Sequence, residues 1–300
     1  MCIGINLLAL NVADLVIKFF SQSKKIEFDI ESSVLHYKEN DDVPEDFFLE
    51  YSLSDTPFIQ DADWSFVGKP DKNSFLNYSW YILNEKDKVV IKVEYEDHIQ
   101  LKEITAVLDL KKGKGVVAVV PLSGNVDVVK IDPLIHPLGS LLLLYLVHQK
   151  GGLLMHASGI VDQGNAYVFT GVSGIGKSTM CRLWKECGAR AVNDDRVVLR
   201  LQGDDVIVYN NPMPYYAQFP VQSTLNKIFL LKQSPENYIK PLKGVFAYSR
   251  VLGNFIQQFY DKDMIRQHLE YIEKVLLKVE VYELGFKPDY DIVKLVRAMD

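Results

Sequence analysis

Gly171-Val172-Ser173-Gly174-Ile175-Gly176-Lys177-Ser178-Thr179 has the spacing G-x-x-x-x-G-K-[ST], the Walker A or phosphate-loop pattern. Glycines let a backbone curl until successive N–H groups point inward, where they can bond phosphate oxygens. A helix opening at the lysine adds its positive N-terminal end. On this reading Gly171, Ser173, Gly174, Ile175, Gly176, Lys177, Ser178 and Thr179 hold the phosphates of ATP or another NTP. Lys177 reaches the β- and γ-phosphates, and the Ser178 hydroxyl joins the shell of a Mg²⁺ ion. The flanks suit the pattern. Asn165–Thr170 is rich in β-formers, and Met180, Leu183, Trp184 and Cys187 recur at helical spacing. Gly188 stands where a helix C-terminus favours glycine. An ordinary glycine-rich turn would not need this strand-before, helix-after context.

The 300 residues suit one large domain or two unequal ones. A net charge of −6, with no basic run, argues against a broad nucleic-acid surface. The three cysteines, Cys2, Cys181 and Cys187, lack metal-ligand spacing and read as reduced thiols of a cytoplasmic protein. The apolar N-terminus lacks a basic n-region and is broken by Asn6, Asn11 and Asp14, so no signal peptide is expected. The apolar run 138–147 is far shorter than the ~20 residues of a bilayer span and reads as a buried helix. No membrane association is expected.

Residues 12–20 fit a short amphipathic helix capped by Asn11. From residue 25 to about 130 the period changes to two, as in Ile26-Glu27-Phe28-Asp29-Ile30, residues 89–95 and residues 106–110. Turn chemistry at 84–88 and 111–115 separates these runs, which predicts a β-meander with one wet face. The aromatics at 78–81 read as sheet packing, and as a ligand surface only if they share one face. The β pattern stops at Asp132-Pro133-Leu134-Ile135-His136-Pro137, where His136 reads as a turn residue. Pro137 opens a helix that ends near Gln149 at Gly151-Gly152. The expected division is therefore a β-rich module over 1–132 and a second domain over 133–300.

In the second part, residues 153–158 read as a short apolar strand, followed by Gly159-Ile160-Val161, a tight turn at Asp162-Gln163-Gly164-Asn165 and the strand entering the loop. The strand entering the glycine loop is then antiparallel to its predecessor, where an ordinary nucleotide-binding βαβ unit would use a helical crossover. After the loop helix come a strand at 190–195 and a hairpin over 196–209. A Pro-, Asn- and Tyr-rich loop over 210–220 and a strand at 226–232 follow. Helices near 245–260 and 264–278, a strand at 279–284 and a helix near 292–299 complete the pattern. The fold class expected is mixed α/β or α+β: a β-rich N-terminal region, then a P-loop domain with a mixed, partly antiparallel sheet and flanking helices.

A phosphate loop alone binds; transfer also needs a metal and a group that positions or deprotonates the acceptor. Asp194 and Asp195 stand at a strand end just past the loop helix, and adjacent residues of a strand face opposite ways. They should divide the work, with Asp194 toward the metal. A solvated acidic turn is the plain alternative. His156, one hairpin ahead of the loop, belongs to a strand expected to lie beside the loop's own. A packed, hydrogen-bonded histidine is its plain alternative.

These residues resemble the C-terminal domain of HPr serine kinase/phosphorylase and its kinase-like relatives, a group similar to phosphoenolpyruvate carboxykinases. The resemblance runs from His156-Ala157-Ser158-Gly159 through the glycine loop to Val192-Asn193-Asp194-Asp195-Arg196, within about residues 140–210. It implies that Asp195 accepts the proton of the attacking hydroxyl, that Lys177 and the loop amides hold phosphates, and that Ser178 meets the metal. His156 matches an active-centre histidine. Residues 210–220 contain no carboxylate to match the family's metal-binding glutamate, and the glycine-rich signature of HPr kinases is absent after Pro220. Arg250 is the only candidate offered for the family's later arginine.

The leading expectation is an ATP- and Mg²⁺-dependent kinase acting on a hydroxyl of a protein, peptide or small molecule. In it the N-terminal region covers the site or recognises the acceptor. A nucleotide-binding regulatory protein without transfer and a carboxykinase-like enzyme are the alternatives. Base preference, acceptor and assembly into a homo-oligomer stay open.

Overall fold

The computed structural model describes residues 6–30, 34–57, 59, 62–70, 77–85, 88–123, 127–213 and 218–299. Cys2, and residues 86–87 and 214–217 of the turn and loop expected above, lie outside them. The described chain is a mixed α+β structure with five α-helices and several sheets. It divides into two compact units. One comprises Met1–Gln149, Pro212–Phe219 and Gln258–Lys262; the other comprises Lys150–Asn211, Pro220–Gln257 and Asp263–Asp300.

Unit 1 contains β1 (Leu7–Val12), β2 (Leu15–Phe20), β3 (Ile26–Phe28), β4 (Lys38–Glu39), β5 (Phe47–Leu53), β6 (Phe66–Gly68) and β7 (Tyr78–Glu85). It continues with β8 (Lys88–Tyr95), β9 (Leu101–Asp109), β10 (Lys114–Pro121), β11 (Val129–Ile131) and helix α1 (Leu138–Gln149). Nine strands form one sheet in the order β4-β1-β2-β5-β10-β9-β8-β7-β6, and β3 pairs with β11 separately. The antiparallel run β7-β8-β9-β10 is the expected meander, but its central strands are not wet on one face: Val90–Val93 of β8 and Glu103–Ala106 of β9 are buried on both. α1 is buried nearly all round, as its unbroken leucines require, and packs on β8.

The helix expected over 12–20 does not form. β1 and β2 make a hairpin there, turning at Ala13 and Asp14, whose φ values are 53° and 58°. Leu15, Val16, Ile17 and Phe19 are all buried, so this strand is covered on both faces. A short apolar run of that kind satisfies helical spacing and a buried strand equally. The aromatics near β7 do not share one face. Tyr78 bonds His136 Nε2 through its hydroxyl (3.0 Å), whereas Tyr81 donates to Glu94 (2.8 Å) and lies under the Lys92 ammonium.

Unit 2 contains β12 (Gly152–Asp162), β13 (Asn165–Thr170), α2 (Lys177–Glu186), β14 (Arg190–Asn193), β15 (Arg196–Gln202), β16 (Asp205–Tyr209) and β17 (Gln222–Gln233). β18 (Tyr238–Leu242), α3 (Gly244–Leu252), α4 (Lys262–Lys278), β19 (Glu280–Phe286) and α5 (Asp291–Arg297) follow. β12 and β13 form the expected tight hairpin, with Asp162 opposite Asn165 and Ala157 opposite Thr170. Gln163 (φ 52°) and Gly164 (φ 90°) supply the left-handed turn. β13 then lies parallel to β17, and β17 parallel to β19, so the sheet is mixed.

Two long strands each serve two neighbours along one edge. β12 pairs with β15 through Gly152–His156 and with β14 beyond Gly159, where the register shifts. β17 pairs with β16 near Gln222 and with β19 from Lys227 onward. The sheet therefore folds over a core of Met155, Ala157, Val168, Val197, Val208 and Ile228, closed by Val251 of α3 and Ile272 of α4. The other face of β13, β17 and β19 presents Phe169, Phe229 and Leu284 to Trp184 of α2 and Val293 of α5. The helix expected over 245–260 stops at Leu252. A turn at Gly253-Asn254 follows in place of further helix, and Phe255 bridges to Met155. β18 was not expected from the sequence; it forms because β19 leaves an edge open to it. No described helix is long and apolar enough to cross a membrane.

Candidate functional site

The glycine loop runs from β13 into α2, and β12 and β19 pack against it. Thr170 ends β13 fully buried and donates its hydroxyl to the His156 carbonyl (2.9 Å), which ties the loop's entry to β12. The loop then turns through Gly171 (φ 145°), Gly174 (φ 77°) and Gly176 (φ 117°). A Cβ at Gly176 would stand 2.5 Å from Cζ of Phe286, so this position needs glycine for both its backbone angle and its space. Gly176 begins α2, and no side chain caps the helix or places an acid in its first turn. Its free amides and partial positive charge face the loop, an arrangement suited to an anion.

Lys177 is 7% exposed, and its Nζ donates to the carbonyls of Gly171 (3.0 Å) and Val172 (3.2 Å). Burial lowers its pKa, and the Asp195 carboxylate opposes that shift. Its own carbonyl accepts from the buried Ser158 hydroxyl (3.0 Å), so β12 anchors the first turn of α2 from below. Ser178 is exposed and Thr179 half-buried, one turn from the loop.

His156 and Ser158 lie two apart on β12 and therefore face the same side, toward α2. His156 Nε2 comes to 3.5 Å from Asp195 Oδ1, with both side chains 40% exposed. Asp195 Oδ2 accepts from Arg196 Nε (2.8 Å). Burial and then the Lys177 ammonium hold the His156 imidazole below the ordinary histidine range, against the opposing pull of Asp195. The shift favours the uncharged imidazole beside Asp195. His156, Lys177 and Asp195 are brought together here by three elements that are distant in sequence.

Asn193 organises the acidic pair. Its Oδ1 accepts from the backbone N–H of Asp194 (2.8 Å) and of Asp195 (3.2 Å), turning the chain where β14 ends. The Asp195 carbonyl accepts from the Ala157 N–H (3.0 Å), which fixes the turn to β12. Asp194 is exposed on the side of α2, where its charge helps burial raise the Cys181 thiol to about 11. The two carboxylates therefore diverge, one toward His156 and Lys177 and the other toward the helix. Asn193, Ser158, Thr170 and Arg196 position this arrangement, and none of them stood out as a candidate in the sequence. An asparagine just before two aspartates was the available signal. Arg250, by contrast, pairs with Glu283 (2.8 Å), which also accepts from the Tyr238 hydroxyl. That pairing ties α3 to β19 and leaves Arg250 outside the group around Lys177.

Magnesium takes hard oxygen ligands and usually draws most of its shell from phosphate and water, with one or two from protein. The Ser178 hydroxyl and the Asp194 carboxylate fit that donor set. Among the described residues no group of three or more His, Cys, Asp or Glu gathers as a ready-made metal cage.

No family model matches the chain, and no curated protein does. Among solved structures it is similar to the Hpr(Ser) kinase/phosphatase from Coxiella burnetii, at 14% identity. The match covers 49% of this chain and 92% of that one, with a TM-score of 0.28. A likeness at that score carries no weight for function, which must stand on the residues of unit 2.

Proposed function

We propose that unit 2 binds a nucleoside triphosphate with Mg²⁺ and transfers its γ-phosphoryl group to a hydroxyl of a protein, peptide or small molecule. The observation that supports this best is the meeting of Lys177, Asp195 and His156 beside an uncapped helix start. Lys177 Nζ donates to two loop carbonyls, and phosphate oxygens are the stronger acceptors for which it would exchange them. The loop amides and α2 hold the negative phosphates in place. A magnesium ion bound with the nucleotide, held by Ser178 and Asp194, would supply further charge neutralisation there.

The acceptor oxygen then forms a bond to the γ-phosphorus while the bond from that phosphorus to the β–γ bridging oxygen breaks, releasing the nucleoside diphosphate. The hydroxyl proton passes to Asp195 as bond formation advances. His156, whose imidazole is biased by burial toward the uncharged form, adds a hydrogen bond.

Nucleotide binding without transfer is the second reading. It is favoured by the Arg196 guanidinium on Asp195 and by a 210–220 loop that offers no carboxylate. One set of measurements separates the two. ATP–Mg²⁺ should raise the melting temperature, Lys177→Ala should abolish that rise, and Asp195→Asn should keep it while losing turnover. No thermal shift in the native protein would end both readings. Turnover unchanged in Asp195→Asn would remove Asp195 as base.

A further inference from the structure

We propose that a cleft beside the glycine loop holds the nucleoside half of the ligand and that the Gln233 side-chain amide reads the edge of its base. This rests on the nucleotide reading above. The cleft has a volume of about 580 Å³ and is walled by loop residues 174–176 and Thr179 on one side. Gln233, Ser234 and Pro235 at the end of β17, with Phe286 and Pro288 at the end of β19, form the other wall. That volume lies in the range of small-molecule sites.

Three observations assign it. The first is polarity along the ligand. Lys177, His156 and Asp195 gather at one end of the loop, and none of the three lines the cleft. Thr179, two residues into α2, does. A triphosphate laid along the loop with its terminal group at Asp195 must therefore run its other end toward Thr179 and the cleft.

The second is charge. Among the described residues no ionisable side chain lines the cleft. The two exposed prolines and Ile175 give the cleft an apolar lining, with Phe286 packed behind it against Gly176, which suits a neutral group and not an anionic or cationic acceptor. Gln233 is exposed at the rim, and its amide both donates and accepts, as pairing with the edge of a base requires.

The third is preorganisation. The two turns that frame the cleft are bonded to one another. Ser234 N–H donates to the Phe286 carbonyl (3.1 Å), Asn237 Nδ2 to Asp289 (2.9 Å), and Lys287 N–H to Asn237 Oδ1 (2.8 Å). The Tyr290 hydroxyl, donating to Glu186 (2.9 Å), ties the second turn to α2 as well. The walls are held before any ligand arrives, which lowers the ordering cost of binding.

The test compares ATP–Mg²⁺ with inorganic tripolyphosphate–Mg²⁺ by calorimetric titration of the full chain. The native protein should bind ATP more tightly than tripolyphosphate. Gln233→Ala should weaken ATP by about 3- to 10-fold, the worth of one hydrogen bond, and leave tripolyphosphate unchanged. Photolabelling with 8-azido-ATP should mark peptides spanning 233–235 or 286–288. Equal affinity for the two ligands, an ATP affinity untouched by Gln233→Ala, or a label placed elsewhere would each overturn the assignment. Should tripolyphosphate fail to bind the native protein, or bind as well after Lys177→Ala, the loop reading itself falls and takes this one with it.

Discussion

Alanine at Gly176 meets two obstacles, and alanine at Gly174 meets one. Gly176 has φ 117°, and a Cβ there would stand 2.5 Å from Cζ and 3.3 Å from Cε2 of Phe286. Gly174 has φ 77° with nothing within 4 Å of its Cβ position. A strained backbone costs about 1–3 kcal/mol, and making a packed ring give way adds about 1–3 kcal/mol more. We expect about 1–2 kcal/mol for Gly174→Ala and about 3–5 kcal/mol for Gly176→Ala. For a domain of this size each kcal/mol moves the melting midpoint by about 2–4 °C. Calorimetry without nucleotide should therefore show unit 2 melting a few degrees lower in the first variant and on the order of 10 °C lower in the second. Phe286→Leu removes the ring atoms in question, so in that background the gap between the two variants should shrink to the backbone part. Coincident melts, or a gap that survives Phe286→Leu, would refute the claim that Phe286 is what demands glycine at Gly176.

Two further outcomes follow from buried charge in unit 2. His268 is 3% exposed, and burial holds its imidazole down to about 4. The unfolded chain takes up that proton from pH 6.5 downward and the native one does not. Stability should thus fall as pH drops from about 6.5 to 4, by up to about 3 kcal/mol. His268→Phe should flatten the melting profile over that window, and an unchanged slope would count against burial as the cause. Arg297 holds the buried Asp162 through two 2.8 Å bonds and stacks over Trp184 at 5.5 Å. Arg297→Ala should cost about 2–4 kcal/mol in chemical denaturation by leaving that carboxylate uncompensated, and adding Asp162→Asn should recover part of it. Equal stability of Arg297→Ala and the native chain would show the pair to be idle.

Much of the site's neighbourhood was legible because it is local. A hairpin turn at Gln163-Gly164, a strand that ends at Thr170, a glycine-rich turn and an amphipathic helix each have a signature within about ten residues. The misreadings fall where local patterns are degenerate. Residues 12–20 satisfied helical spacing, yet a sheet covered on both faces turned them into a hairpin. The stretch 253–260 kept its apolar spacing but left the helix at a turn over Gly253-Asn254, with Phe255 against Met155. β18 has little strand signature in Tyr238-Ile239-Lys240-Pro241-Leu242 and exists because β19 offers it a partner. The helix Leu138–Gln149 also belongs by its contacts to unit 1.

The order of residues alone established the glycine loop, its flanking elements and the antiparallel strand before it, because turn geometry and side-chain periodicity act over a few residues. Only the folded chain decided that His156 meets Asp195, that Asp194 turns away toward α2, and that a neutral cleft opens beside Phe286. The first two depend on the strand register of β12 against β13, β14 and β15, and the cleft on that of β17 against β19, where Gln233 stands opposite Phe286. Register is set by burying whole faces of a sheet at once, a property that no short stretch of sequence carries.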